Sequence, residues 1–441
     1  MKVGRTLCNS THTPASICNG SAALRTLPVA GMRRAARVVA GLVAVLVTVT
    51  STAQLQPTRQ AAPSFWNDLK AGPCAVGFRV LYYRDRRRQW LKETVATSAD
   101  PGRPIRVSVW YPAIPSASAE PMKYGDYLHH DGPSDFQQLN NHLDKSDTES
   151  WMSDLRELSP PGQAIFDKLL STPVVAYRNA PAAHGHFPLV LYSGGKGSRA
   201  DANVELGEYL ASHGYVVATV PQLGPSDQEI ELGSSPQEIS LHADDFDAAL
   251  TVLRDLPEVD FGHLATAGHS AGGEVAVELA LRHPEVTAVV GLDGSYGMSS
   301  GSRVLTRLPG YAPGRKVGAA LLDLRRADGS QGAKLDLTAI DALHWADLCR
   351  VIFTKAFHGD FTEWGMLGRK LSIPMPPNPD GHTREIGYQV NQQACHAVLD
   401  FLDARLRGRK EAHGRLKHTI QHVPGARFSH LSASAKANPG K

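Results

Sequence analysis

The first regular hydrophobic rhythm in the chain is Val76-Gly77-Phe78-Arg79-Val80-Leu81-Tyr82-Tyr83, which reads as a strand. Residues 105–111 alternate polar and apolar side chains and stop at Pro112, the pattern of a half-buried strand in an antiparallel hairpin with the first. From 115 to about 172 the rhythm dissolves into Ser, Pro and His, with short helical stretches at 136–143 and 164–170. This segment reads as an insertion able to cover a substrate site. Beyond Phe187 strands and helices alternate. Strands are predicted at 189–192, 215–220, 264–267, 288–292, 318–322 and 351–355. Helices are predicted at 204–213, 236–256, 271–282 and from about 383 to 406. Such alternation is the signature of α/β architecture, a mostly parallel sheet with helices on both faces. Strand-then-helix order puts the chemistry at the carboxyl ends of the strands.

The N-terminal pattern is of another kind. Met32-Arg33-Arg34-Ala35-Ala36-Arg37 is basic, 38–49 is apolar, and Ser51-Thr52-Ala53 supplies small residues. That order predicts a secretory signal peptide over 1–53. Its apolar centre is shorter than the roughly 20 residues of a membrane span, and an uncleaved anchor is the alternative. Residues 1–31 lack periodicity, so Met32 reads as the true start, and Arg33-Arg34 permits a twin-arginine route. A linker follows at 54–63, then a catalytic domain over 64–408 that includes the 115–172 insertion. Residues 409–441 read as a basic, disordered tail.

Charge narrows the partners: 46 basic against 43 acidic residues leave a net +3, which gives no reason to expect nucleic acid. Membrane contact is expected only through an uncleaved N-terminal segment. Of the five cysteines, Cys8 and Cys18 precede the signal. Cys74, Cys349 and Cys395 remain, with a Cys349–Cys395 disulfide expected and three buried thiols as the alternative. No CxxC or HExxH spacing gives zinc a framework, and neither a metal nor an organic cofactor is expected. His129-His130-Asp131 and His184-Gly185-His186 read as solvated loops.

The strongest chemical signal is Gly268-His269-Ser270-Ala271-Gly272-Gly273, between a short strand and an Ala-rich helix. A serine on so tight a turn exposes its hydroxyl, Gly268 and Gly272 avoid collision with neighbouring backbone, and the helix N-terminus favours negative charge. Ser270 is therefore the expected nucleophile. Tyr192-Ser193-Gly194-Gly195-Lys196-Gly197 follows a buried strand, and the backbone N–H groups of Lys196 and Ala271 are assigned to an oxyanion hole. His269 adjoins the serine but points away from it on the turn, so the base comes from a distant loop. His358, just after a late strand, fits that place; His344 and His396 fall in predicted helices, and His382 lies in a Pro-rich loop. Asp293, Asp323 and Asp328 all stand at or after strands and are open as the acid.

These pieces resemble the platelet-activating-factor acetylhydrolase family and its bacterial relatives known as predicted dienelactone hydrolases. The resemblance rests on Phe187-Pro188-Leu189-Val190-Leu191-Tyr192-Ser193-Gly194-Gly195-Lys196-Gly197, on Leu210-Ala211-Ser212-His213-Gly214-Tyr215, on the Ser270 turn, on Leu292-Asp293, and on His358 with Asp360-Phe361. Gly72-Pro73-Cys74-Ala75-Val76-Gly77-Phe78-Arg79 and Val109-Trp110-Tyr111-Pro112 look like the bacterial relatives' first strands. It implies the α/β-hydrolase fold, Asp293 as the acid, and Lys196 and Ala271 as oxyanion donors. Two departures stand out: Gly194 replaces the family's usual histidine, and Ser270 stands where true dienelactone hydrolases carry cysteine. The expected activity is hydrolysis of small-molecule or lipid-like carboxylic esters. A lipase, amidase or acyltransferase of the same fold, or an inactive binding protein on this scaffold, is the alternative.

Overall fold

The computed structural model describes residues 65–66, 68–90, 102–158, 162–199, 202–225, 234–373, 378, 380–421 and 426–432. The expected signal peptide, the start at Met32 and the 54–63 linker lie outside the described residues.

The hairpin strands β1 (Ala75–Gln89) and β2 (Gly102–Ala113) pair antiparallel, Val76 opposite Pro112 and Tyr83 opposite Ile105. The insertion contributes α1 (Gln137–Leu158) and α2 (Gly162–Leu170), and β3 (Ala176–Arg178) returns as an edge strand parallel to β1. The alternating part of the chain then runs β4 (Phe187–Ser193), α3 (Val204–Ser212), β5 (Val216–Thr219), α4 (Pro236–Leu253), β6 (Val259–His269) and α5 (Gly272–Arg282). After it come β7 (Val286–Leu292), α6 (Ser299–Leu305), β8 (Lys316–Arg326), α7 (Thr338–Asp341) and β9 (His344–Phe353). Next come α8 (Glu363–Lys370), α9 (Arg384–Leu406), α10 (Lys410–Gln421) and β10 (Ala426–Ser432).

Among the described residues ten strands form one sheet in the order β10-β9-β8-β7-β6-β4-β5-β2-β1-β3. Its centre, β9 through β5, is parallel, as its near-continuous apolar runs require when both faces are covered. Alternate side chains feed two cores. Val190 and Tyr192 pack with α3, α9 and the insertion, whereas Leu189 and Leu191 pack with α4 and α5 on the opposite face. None of the helices among the described residues is long and apolar enough to cross a membrane.

Four expectations are corrected. The helical stretch at 136–143 extends to Leu158, because α1 buries Asn140, Leu143, Asp147, Trp151 and Leu155 along one stripe. Two polar members hide its periodicity; the buried Arg106 of β2 reaches Asn140 and Asp144 at 3.4 and 3.1 Å and approaches Asp147 at 4.0 Å. The segment 409–441 is not a disordered tail throughout. Its arginines find partners on α9, Arg415 with Asp400 at 2.7 Å and Arg409 with Asp403 at 2.9 Å, and Ala412 and Leu416 are buried. β10 then pairs antiparallel with β9. His344 opens β9 and is exposed, not helical. Cys349 and Cys395 form no disulfide: with Cys74 they are free, buried thiols.

Candidate active site

Strand β6 ends at His269 and α5 begins at Gly272, so Ser270 occupies the turn between them. Its φ of 54° lies in the left-handed region, which costs a non-glycine residue about 1–3 kcal/mol and persists only where surroundings enforce it. Here the backbone enforces it. Ser270 N–H donates to Leu292 O at 3.2 Å, and Ser270 O accepts from Gly273 N and Ser295 N, both at 2.9 Å. A Cβ at Gly268 would lie 1.9 Å from Gly272 O, and one at Gly272 2.1 Å from Ser193 O, so only glycine lets the turn close against β4.

The glycine turn after β4 lies against this elbow: a Cβ on Gly195 would approach the Ser270 Cβ to 2.9 Å. Gln222 holds that turn, its Nε2 donating to Gly194 O at 2.9 Å. Among the described residues neither the Lys196 nor the Ala271 N–H donates to a backbone carbonyl.

Asp293 follows β7 directly, with φ 46°, and is fully buried. His358 opens the short turn His358–Phe361 after β9, and its Nδ1–H donates to Asp293 Oδ2 at 2.5 Å. Burial alone would raise the Asp293 carboxyl, but His358 and then Arg326 and Arg325 outweigh it and hold the group below the usual carboxylate range. The other two acids are engaged elsewhere. Asp323 pairs with Arg325 and Arg350, each at 2.6 Å, and accepts from Tyr296 OH; Asp328 accepts from Leu335 N. The register explains why. Asp323 lies opposite Gly291, inside a β8 that runs on to Arg326, so it faces the interior and not the carboxyl edge.

Rival histidines are also accounted for. His382 is buried, bonds Asp360 Oδ2 at 2.7 Å and stacks on Phe357; His396 lies on α9 beside Tyr209. His269 is buried and engaged as well. Its ring lies 4.4 Å from that of His358, its Nε2–H donates to His358 O at 3.0 Å, and burial, with the neighbouring imidazole, pushes its pKa down to about 3. It supports the His358 turn as a neutral ring. The Ser270 hydroxyl contacts Ser295 Oγ at 3.3 Å and makes no hydrogen bond to His358 in this conformation.

Sequence reasoning missed Ser295, Arg326 and Gln331. Gln331 Oε1 accepts both Arg326 Nη1 at 2.7 Å and the His358 N–H at 2.8 Å. Nothing local marks these residues; a φ of 49° at Gln331 is visible only in the fold.

The strand order, the strained serine turn and the buried Asp–His pair at the carboxyl edge of one sheet are those of the α/β-hydrolase fold. Residues 166–315 match the Chlorophyllase family, a span that holds Ser270 and Asp293 and stops before His358. Among solved structures, a ferulic acid esterase from Streptomyces cinnamoneus superposes with a TM-score of 0.55, covering 83% of this chain and 98% of that one at 23% identity. No curated protein matches the sequence significantly.

Proposed function

We propose that the protein is a serine hydrolase of carboxylic esters working by two-step acyl transfer. The observation that carries this reading is the 2.5 Å His358–Asp293 bond at the sheet edge that also holds Ser270 in its strained turn. With Nδ1 occupied by Asp293, Nε2 of His358 is the nitrogen free to act as base. It takes the Ser270 proton as Oγ bonds to the ester carbonyl carbon, then returns it to the departing alcohol. Water, deprotonated by the same nitrogen, then attacks the acyl carbon; the bond to Ser270 Oγ breaks, His358 returns the proton to Oγ, and the acid is released. The N–H groups of Lys196 and Ala271 receive the oxyanion; each such donor is worth roughly 2.7–4 kcal/mol to the transition state. The 3.3 Å Ser270–Ser295 contact must yield to a Ser270–His358 bond, a tightening common on substrate binding. The similar proteins support the substrate class, one a ferulic acid esterase and the other a chlorophyllase family. Small-molecule or lipid-like esters are the class we assign.

The test is labelling by a fluorophosphonate together with turnover of p-nitrophenyl acetate. Ser270→Ala is expected to lose both while keeping its melting temperature. We further assign the mature enzyme to the outside of the cytoplasm, so the labelled band should appear in the exported fraction with its N-terminus near Gln54. A folded parent that does not react with the probe would overturn the catalytic reading and favour a binding protein.

A further inference from the structure

Behind the His358–Asp293 pair lies a guanidinium that the acyl-transfer steps do not use. Arg326 is the last residue of β8, and its side chain is 14% exposed. Its Nε stands 3.1 Å from Asp293 Oδ2, the same oxygen that takes the His358 Nδ1–H, and its backbone N–H donates to Oδ1 at 3.2 Å. Its Nη1 donates to Gln331 Oε1, which also accepts the His358 N–H. One guanidinium thus touches the acid directly and the backbone of the base through one amide oxygen.

We propose that Arg326 is a positioning residue that sets the pH range over which Ser270 is reactive, by sharing the Asp293 carboxylate with His358 and bracketing the His358 turn through Gln331. This rests on the assignment of Ser270, His358 and Asp293 as the acyl-transfer machinery. The carboxylate that stabilises an imidazolium is here partly satisfied by a fixed positive charge, and that charge also repels the imidazolium. Both effects oppose positive charge on the His358 ring. The other charged or titratable groups around His358 leave this role to Arg326. His269, from the end of β6, is held neutral, and Arg325, from β8, is committed to Asp323. Asp360, on the same turn, is tied to His382; Asp380 bonds the Gln331 N–H; and Lys196, on the glycine turn, is exposed.

The experiment measures the second-order rate of fluorophosphonate labelling against pH for the full chain and three variants. Arg326→Gln is expected to move the acid limb up by about one pH unit. It should therefore label about tenfold more slowly than the parent below the limb, with the limb's shape retained. Arg326→Lys, which keeps the charge, should keep the parental limb. Gln331→Glu alters an exposed residue, is expected to fold whatever Arg326→Gln does, and should shift the limb in the same direction by offsetting the guanidinium. A curve lowered at every pH with its midpoint unmoved in Arg326→Gln and Gln331→Glu would overturn the proposal and leave Arg326 a packing residue. If the parent itself is not labelled, the failure lies in the acyl-transfer reading, and this inference falls with it.

Discussion

Ser270 and Asp293 both take left-handed backbone, φ 54° and 46°, at the ends of the neighbouring strands β6 and β7. The strain is held locally: Ser270 O has two N–H donors, and Asp293 N–H donates to Leu324 O at 2.7 Å. The two nearby aspartates should accordingly fail in different ways. On the proposed mechanism, Asp293→Asn keeps the shape but removes the charge that is assigned to orienting His358. A loss of about 10³–10⁴ in kcat with a near-parental melting temperature is expected. Asp323→Asn leaves Arg325 and Arg350 buried without a full counter-charge, at a cost of roughly 3–5 kcal/mol, while the folded fraction keeps its kcat. Paired calorimetry and steady-state rates decide it. Equal loss of kcat in both would remove the special role of Asp293.

At the level of elements, α3 behaves against its pattern. Its glutamates look outward-facing, yet every residue of the helix is buried because the insertion, α8 and α9 cover it. Glu208 is satisfied there by Trp66 Nε1, Tyr127 OH and Ala176 N. Glu205 is worse placed: burial, then Glu363 and Glu208, push its pKa up to about 8 from 4.5. The folded state therefore binds a proton that the unfolded chain has lost. The stability so contributed is full below about pH 4.5 and is lost as pH rises through about 8. Glu205→Gln should raise Tm at pH 8.5 and leave it near the parental value at pH 4 to 5. An equal effect at both pH values would show that Glu205 does not titrate in this window. The same covering ties the insertion to α8 and to the glycine turn after β4, since Arg199, three residues beyond Lys196, pairs with Glu363 of α8 and lies over the α1 Trp151 ring.

At the scale of the molecule, no disulfide links the cysteines of the described residues. Two apolar cores, one on each side of a ten-stranded sheet, are the stabilising mass expected of a domain this large. The three described cysteines are buried thiols, and burial pushes Cys349 up to about 12. Reductant should leave Tm within about 1 °C of the untreated value, and iodoacetamide at pH 8 should label these cysteines only after unfolding. A large fall in Tm with dithiothreitol would contradict the free thiols.

What could be read from sequence followed from local physics. A period of two or of 3.6 marks an element, and the sterics of Gly268-x-Ser270-x-Gly272 leave only one kind of turn, so the parallel sheet, its helices and the serine elbow were legible. Polar residues inside an apolar stripe concealed the length of α1, and basic residues whose partners lie on α9 made an ordered helix read as a loose end. The choice among Asp293, Asp323 and Asp328 is a matter of register between β7 and β8. One residue more or less along a strand turns a side chain from the sheet edge to the core, and no local pattern carries that information. Sequence alone determined which chemistry the chain can attempt; only the assembled strands decided which carboxylate, which imidazole and which neighbouring arginine meet, because those contacts join residues brought together by the sheet and not by the chain.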